Sequence, residues 1–335
     1  IPTTTTDWKY GQVNDLLYIH DQLWIATQDN GLLKYKVGSG KIQQIPITLT
    51  GSIINELLND NQGNTWLVSS IDGLIRSPGE TLKLLPIPSA PAFEHIHAIL
   101  SDHQGNTWLN NQANEIIRIT QQDGISTEKI IRLPGVTEKT DVTSLYQDLY
   151  GNIWVGTMGK GIFIIDPKSF QYRAFTENTL FKDAGIFFIH GNQHTIYFSS
   201  LQGSMVIELG PGNEEIHNDY HYTNYDNINT GTNYIYTIFK DSRNRIWFAT
   251  DGMGLTMLEN GRFSYFNKKE QIKDDRIYSI TEDRRGTIWF STASAGIYSF
   301  NGKVFTNYTV KDGLSDLNIS VLKADRAGNI IIVHK

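Results

Sequence analysis

Six of the seven tryptophans recur on one period. Trp24, Trp66, Trp108, Trp154, Trp247 and Trp289 are separated by 42, 42, 46, 93 and 42 residues, and Tyr197 divides the long interval into 43 and 50. A further step of 42 from Trp289 reaches Ile331, so the chain holds seven full copies and the first half of an eighth. No other property constrains the fold as much. A unit of this size is one supersecondary motif that cannot bury both its faces alone, so it must pack on copies of itself.

Alignment on the anchors shows what each copy contains. An aspartate stands six residues before the anchor at Asp60, Asp102, Asp148, Asp241 and Asp283, and at Asp325 in the half copy. Glycine follows three later at Gly63, Gly105, Gly151, Gly286 and Gly328, with Asn244 in its place once. Asp-x-x-Gly between two β-rich runs is hairpin chemistry, because the carboxylate accepts turn N–H groups and glycine tolerates positive φ. Three after the anchor comes a small polar residue (Thr27, Ser69, Asn111, Thr157, Ser200, Thr250, Thr292), and seven after it Gly31, Gly73, Gly161, Gly254 and Gly296. Runs such as Ile153-Trp154-Val155-Gly156-Thr157 and Phe263-Ser264-Tyr265-Phe266 are strands by residue type. No period-3.6 stretch exceeds two turns, so helix is expected to be minimal. Four short antiparallel strands in about 43 residues predict a β-propeller blade. The fold expected is all-β: one propeller domain over 1–335, with seven four-stranded blades anchored at Trp24, Trp66, Trp108, Trp154, Tyr197, Trp247 and Trp289, or eight blades. The half repeat at 314–335 either closes the ring or begins the next module. Asp7-Trp8-Lys9-Tyr10 resembles a fourth strand that would complete a last blade.

Charge narrows the partners. With 29 Lys+Arg against 35 Asp+Glu the net charge is −6, and no basic run occurs. Nucleic acid or an anionic membrane surface needs a cationic footprint, so neither is expected as a partner. Cysteine is absent, which removes thiolate chemistry and disulfides. No stretch approaches 18 apolar residues, so the segment itself is not expected to contact a membrane.

The string from Asp148 to Ile162 (Asp-Leu-Tyr-Gly-Asn-Ile-Trp-Val-Gly-Thr-Met-Gly-Lys-Gly-Ile) resembles the two-component regulator propeller repeat, as do Asp241–Leu255 and Asp283–Ile297. Gly313-Leu314-Ser315 resembles that family's lead-in to a new repeat. Repeats one, three and five depart from the pattern. The resemblance implies the periplasmic sensor region of a membrane-bound histidine kinase, often a hybrid kinase–regulator of Bacteroidetes type. Such regions commonly hold two successive propellers, a β-sandwich, a transmembrane helix and the kinase, and many sense oligosaccharides. The partners it implies are an oligosaccharide, a neighbouring propeller or sandwich domain of the same protein, and a second protomer. It carries no cofactor.

Recurrence separates structure from function. Residues repeated at every turn, the aspartates and tryptophans, are expected to be structural, with the indoles packed between blades. Residues that vary at equivalent positions are the candidates for binding. The second position of the innermost strand holds Asn14, Asn55, His97, Thr143, Tyr236 and Tyr278, expected to line one mouth of the channel. The turns after the anchor strands vary on the same face, with Lys160, Asp251 and Met253 the most distinctive. A polar, aromatic loop at 218–227, carrying Tyr220, Tyr222 and Tyr225, is expected to lie outside the repeat. The ligand-binding set is therefore Asn55, His97, Lys160, Tyr220, Tyr222, Tyr225, Tyr236, Asp251, Met253 and Tyr278. No catalytic residue and no metal site is assigned. His95-x-His97 has strand spacing that suits zinc, without a third ligand nearby. Two other functions compete with sensing. A lyase-type propeller enzyme would use His97 with Glu56 or Asp251, and a non-catalytic scaffold would show an apolar interface instead.

Overall fold

The computed structural model describes residues 9–19, 22–36, 41–45, 53–59, 64–69, 73–78, 83–84, 96–111, 113–122, 125–176, 181–192, 195–200, 203–209, 221–225, 234–268, 271–324 and 329–334. The fold is a seven-bladed β-propeller of four-stranded antiparallel sheets, with a two-stranded sheet after the seventh. Blade 1 holds β1 to β4 (Val13–Ile19, Gln22–Thr27, Leu32–Lys36, Ile42–Gln44), and blade 2 holds β5 to β8 (Ile54–Asn59, Asn64–Ser69, Gly73–Pro78, Lys83–Leu84). Blade 3 holds β9 to β12 (Ile99–Ser101, Thr107–Asn110, Ile116–Gln122, Ile125–Ile131), and blade 4 β13 to β16 (Val142–Gln147, Ile153–Thr157, Ile162–Ile165, Tyr172–Ala174). Blade 5 holds β17 to β20 (Ile186–Asn192, Thr195–Ser200, Gly203–Glu208, His221–Tyr225), and blade 6 β21 to β24 (Ile235–Lys240, Ile246–Thr250, Leu255–Glu259, Arg262–Phe266). Blade 7 holds β25 to β28 (Ile277–Glu282, Ile288–Thr292, Ile297–Phe300, Phe305–Tyr308), and the half repeat supplies β29 (Ile319–Ala324) and β30 (Ile330–His334). A 3-10 turn at Val310–Asp312, capped by Thr309, precedes the half repeat. By its internal contacts the chain divides into two compact units, one carrying blades 1 to 4 and the other blades 6 and 7 with the half repeat.

One expectation is corrected here. The segment read as an extra loop contains β20, the fourth strand of blade 5. His-Tyr-Thr-Asn-Tyr is rich in aromatic and β-branched residues, which suit a pleated strand. Tyr222 and Tyr225 lie on that strand, while Tyr220 and residues 1–8 lie outside the described residues; of the expected N-terminal strand Lys9 and Tyr10 are described, and neither is in a strand.

In repeats three, four, six and seven the aspartate and the tryptophan form one device. Asp148 Oδ1 accepts N–H groups from Tyr150 (3.0 Å) and Asn152 (2.8 Å), closing the hairpin, while Oδ2 accepts the Trp154 indole N–H at 2.9 Å. The indole bond recurs from Trp108 to Asp102 (2.8 Å), Trp247 to Asp241 (2.8 Å) and Trp289 to Asp283 (3.0 Å). The turn thus fixes the indole, and the indole fills the gap to the next blade. In the first unit Trp24 packs with Ile54 and Leu67 of blade 2, Trp66 with Leu109 and Ile117 of blade 3, and Trp108 with Val155 and Phe163 of blade 4. In the second unit Trp247 packs with Phe300 of blade 7, and Trp289 packs against Ile319 and Leu322 of the half repeat. The indoles of Trp108, Trp154, Trp247 and Trp289 gain apolar burial and each gives its one N–H a partner, so none of these four is an orphaned donor.

A second device holds the other turn. The hydroxyl of Thr157 donates to Gly161 O at 2.8 Å and accepts the Lys160 N–H at 3.2 Å. Thr27, Thr250 and Thr292 do the same in their blades. Gly161 has a φ of +67°, and a Cβ there would run into the carbonyl oxygen of Phe181. Only glycine passes there.

Candidate functional site

The innermost strands carry the variable residues, and one irregularity displays them. β1, β5, β13, β21 and β25 each open with a register shift, between Val13 and Asp15, Ile54 and Glu56, Val142 and Ser144, Ile235 and Thr237, and Ile277 and Ile280. A bulge leaves a residue out of the ladder and re-aims its side chain. The displaced residues are Asn14, Asn55, Thr143, Tyr236 and Tyr278, with Ser279 sharing the last bulge. His97 differs: it lies two residues ahead of β9, because the amide oxygen of Asn110 takes the N–H groups of His97 and Ala98 (both 3.0 Å) in place of a ladder partner.

Two of these positions staple one blade to the next. Asn14 Nδ2 donates to Ile54 O at 2.8 Å, and Thr143 Oγ1 donates to Ile186 O at 2.7 Å. The following residue repeats the task. Ser144 Oγ donates to Ile189 O (3.1 Å) and accepts its N–H (2.9 Å), and Ser279 Oγ bonds Leu322 in the same two ways. Asp15 Oδ2 accepts the Leu57 N–H at 2.8 Å, and its Oδ1 takes the Leu16 N–H.

Glu56 breaks the series. It stands where blades 4 and 7 have a small serine, and it is too long for that bond geometry. In the first unit a cavity of about 530 Å³ is lined by Asn14, Asp15, Asn55, Glu56, Ile96 and His97. Burial, and then the charge of Asp15, push the Glu56 carboxyl up from 4.5 to about 8. At neutral pH Glu56 is therefore mostly protonated and can donate a hydrogen bond, beside an Asp15 carboxylate oriented by two backbone amides. Asn14 and Asn55 add amide groups, and His97 an exposed imidazole. The lining offers donors and acceptors with no cationic side chain, a chemistry suited to hydroxyl-rich ligands.

The expected site residues thus fall into separate groups. Asn55 and His97 meet in the cavity. Lys160 is exposed on the β14–β15 turn. Tyr236, Asp251, Met253 and Tyr278 gather in the second unit. There Tyr236 and Tyr278 meet edge to face with centroids 5.0 Å apart. Burial and the neighbouring Asp251 and Tyr278 raise the Tyr236 phenol. Asp15 escaped sequence reasoning as a site residue, although its place directly after the bulge position was visible. His95 lies outside the described residues, and among the described residues no group of three or more His, Asp or Glu could hold a metal ion.

Residues 231–252 and 271–294 match the family model for the two component regulator propeller. Those two stretches carry that repeat. No curated protein sequence matches the chain. Among solved structures it is similar to the extracellular domain assigned to a hybrid two component system of B. thetaiotaomicron, at 19% identity and a TM-score of 0.55, covering 96% of this chain and 44% of that one. The chain therefore spans less than half the length of that relative. It is also similar to a streptogramin B lyase (16% identity, TM-score 0.60, 86% of this chain and 92% of that one). A third likeness is to the virginiamycin B lyase of Staphylococcus aureus (19%, TM-score 0.58, 85% and 93%). At such identities these likenesses show the fold, which sensor extracellular domains and lyases share. Among the described residues no helix is long and apolar enough to cross a membrane.

Proposed function

We propose that this propeller is the ligand-sensing part of a periplasmic sensor region in a two-component histidine kinase, that it responds to oligosaccharides, and that it is not itself an enzyme. The observation that carries the reading is the polar cavity of about 530 Å³ in the first unit. It is built where the repeat abandons its own staple, with Glu56 in the place of serine. Retaining a buried carboxyl there destabilises the fold as pH rises, so a structural role does not account for it. The likeness to an extracellular sensor domain supports the assignment of context. Signal would pass by repositioning of the rigid propeller against a neighbouring domain or a second protomer.

Calorimetric titration with a panel of oligosaccharides tests this. Binding by the wild type, weakened about tenfold by Asn55→Ala, supports the reading. No heat and no thermal shift with any glycan overturns it.

His97 and Glu56 share the cavity, and this favours lyase chemistry as the second reading. A protonated carboxyl and an imidazole on one ligand are an acid–base pair. Turnover of a bound ligand that disappears in His97→Ala would establish catalysis; binding without turnover in both proteins would remove it.

A further inference from the structure

The second unit holds an aromatic cluster for which the repeat gives no structural reason. At the bulge position, blades 1 and 4 carry short polar side chains spent on the next blade, Asn14 on Ile54 O and Thr143 on Ile186 O. Blades 6 and 7 carry Tyr236 and Tyr278 there. The two rings stand at 80° with centroids 5.0 Å apart, and Tyr236 remains 45% exposed. The cluster continues beside them. Tyr234, 55% exposed, accepts the Asp251 N–H on its carbonyl at 2.9 Å, and Met253 on the same turn is 43% exposed. Asp251 neighbours Tyr236 and pairs through a β-bridge with Arg276, whose guanidinium reaches Asp274 at 3.6 Å and stays half exposed.

We propose that Tyr236 and Tyr278 form a stacking platform for one pyranose ring of a neutral glycan, with Asp251 and Arg276 bonding the hydroxyls at its rim. The proposal rests on the reading of the protein as a glycan sensor and adds a binding site in the second unit. Two rings meeting at a corner present one flat apolar face and one wall, matching the C–H face and edge of a pyranose. Tyrosine supplies that area at low conformational cost. The edge-to-face contact with Tyr278 holds the Tyr236 ring before a ligand arrives, which lowers the cost of binding. Asp251 and Asp274 outweigh the one guanidinium of Arg276, so the rim is net negative and a neutral ligand meets no repulsion there. An anionic ligand would meet Asp251 and Asp274 as well as Arg276.

Tyr236→Ala, Tyr278→Ala and Tyr236→Phe, each in the full chain, are titrated with neutral gluco-, xylo- and manno-oligosaccharides and with oligogalacturonate. Saturation-transfer NMR records which sugar protons approach the rings. Each alanine variant is expected to weaken neutral-glycan binding about tenfold. Tyr236→Phe keeps most of the affinity, and saturation reaches the C–H protons of one ring. All three variants retain the wild-type melting temperature within a few degrees. Neutral-glycan binding that survives both alanine substitutions, or a preference for the galacturonate, overturns the platform while leaving the sensor reading intact. Absence of any glycan binding by the wild type overturns both.

Discussion

Replacing Glu56 by glutamine tests the origin of the cavity's chemistry. Glutamine mimics the protonated carboxyl in shape and polarity but does not ionise. The folded protein holds the Glu56 proton up to about 8, against 4.5 for the ordinary group. Below 4.5 both folded and unfolded chains are protonated, and the substitution changes little. Between 4.5 and 8 the unfolded chain releases the proton and the folded chain keeps it, so wild-type stability falls as pH rises. Above 8 the folded carboxylate is ionised and the loss is complete. At about 1.4 kcal/mol per pH unit the full loss is about 5 kcal/mol, and relaxation of the cavity reduces it. Urea unfolding of wild type and Glu56→Gln from pH 4 to pH 9 therefore gives curves that coincide at acid pH and diverge upward for the variant. The same curves for Asp15→Asn separate the two causes, since burial is the larger and survives that change. Parallel curves for wild type and Glu56→Gln across the whole range would refute the reasoning.

The remaining predictions concern the scaffold. Asp148→Ala strands the Trp154 indole N–H and two turn amides and costs at least about 2 kcal/mol in urea unfolding; a loss under 0.5 kcal/mol would show the network to be incidental. Gly161→Ala costs about 2 kcal/mol or more, because φ is +67° and the new methyl meets Phe181 O, and a crystal structure of the variant shows the 157–161 turn displaced. Thr143→Val removes the bond to Ile186 O and costs about 1 kcal/mol, measured in the same unfolding assay, with oligosaccharide affinity unchanged.

Repetition made the fold legible. A buried indole tied to a turn carboxylate needs fixed spacing, so Asp148 and Trp154, or Asp241 and Trp247, announce the hairpin and the blade interface together. The same logic isolated the bulge positions, because Asn55, His97, Tyr236 and Tyr278 differ where the scaffold would allow them to be alike. What stayed hidden depends on distance across blades. Asp15 and Glu56 lie 41 positions apart, and their coupling exists only once β1 and β5 lie side by side. The cations over the indoles were hidden in the same way: Lys34, Arg76 and Arg118 face Trp24, Trp66 and Trp108 across the register of the second and third strands, with Lys34 Nζ 3.9 Å from the Trp24 ring. A basic residue ten positions after the anchor was the available signal. The strand His221–Tyr225 was misread because the long insertion ahead of it displaced it from the repeat's phase.

Hydrogen–deuterium exchange of the full chain, with and without a saturating oligosaccharide, tests most directly whether the symmetry-breaking inner-strand positions are where ligand arrives. Slowed exchange is expected in peptides covering Asn14–Leu16, Asn55–Leu57 and Ile96–Ile99, and in those covering Tyr234–Tyr236. Protection confined to the Asp-x-x-Gly hairpins at Asp102, Asp148, Asp241 and Asp283 would contradict it.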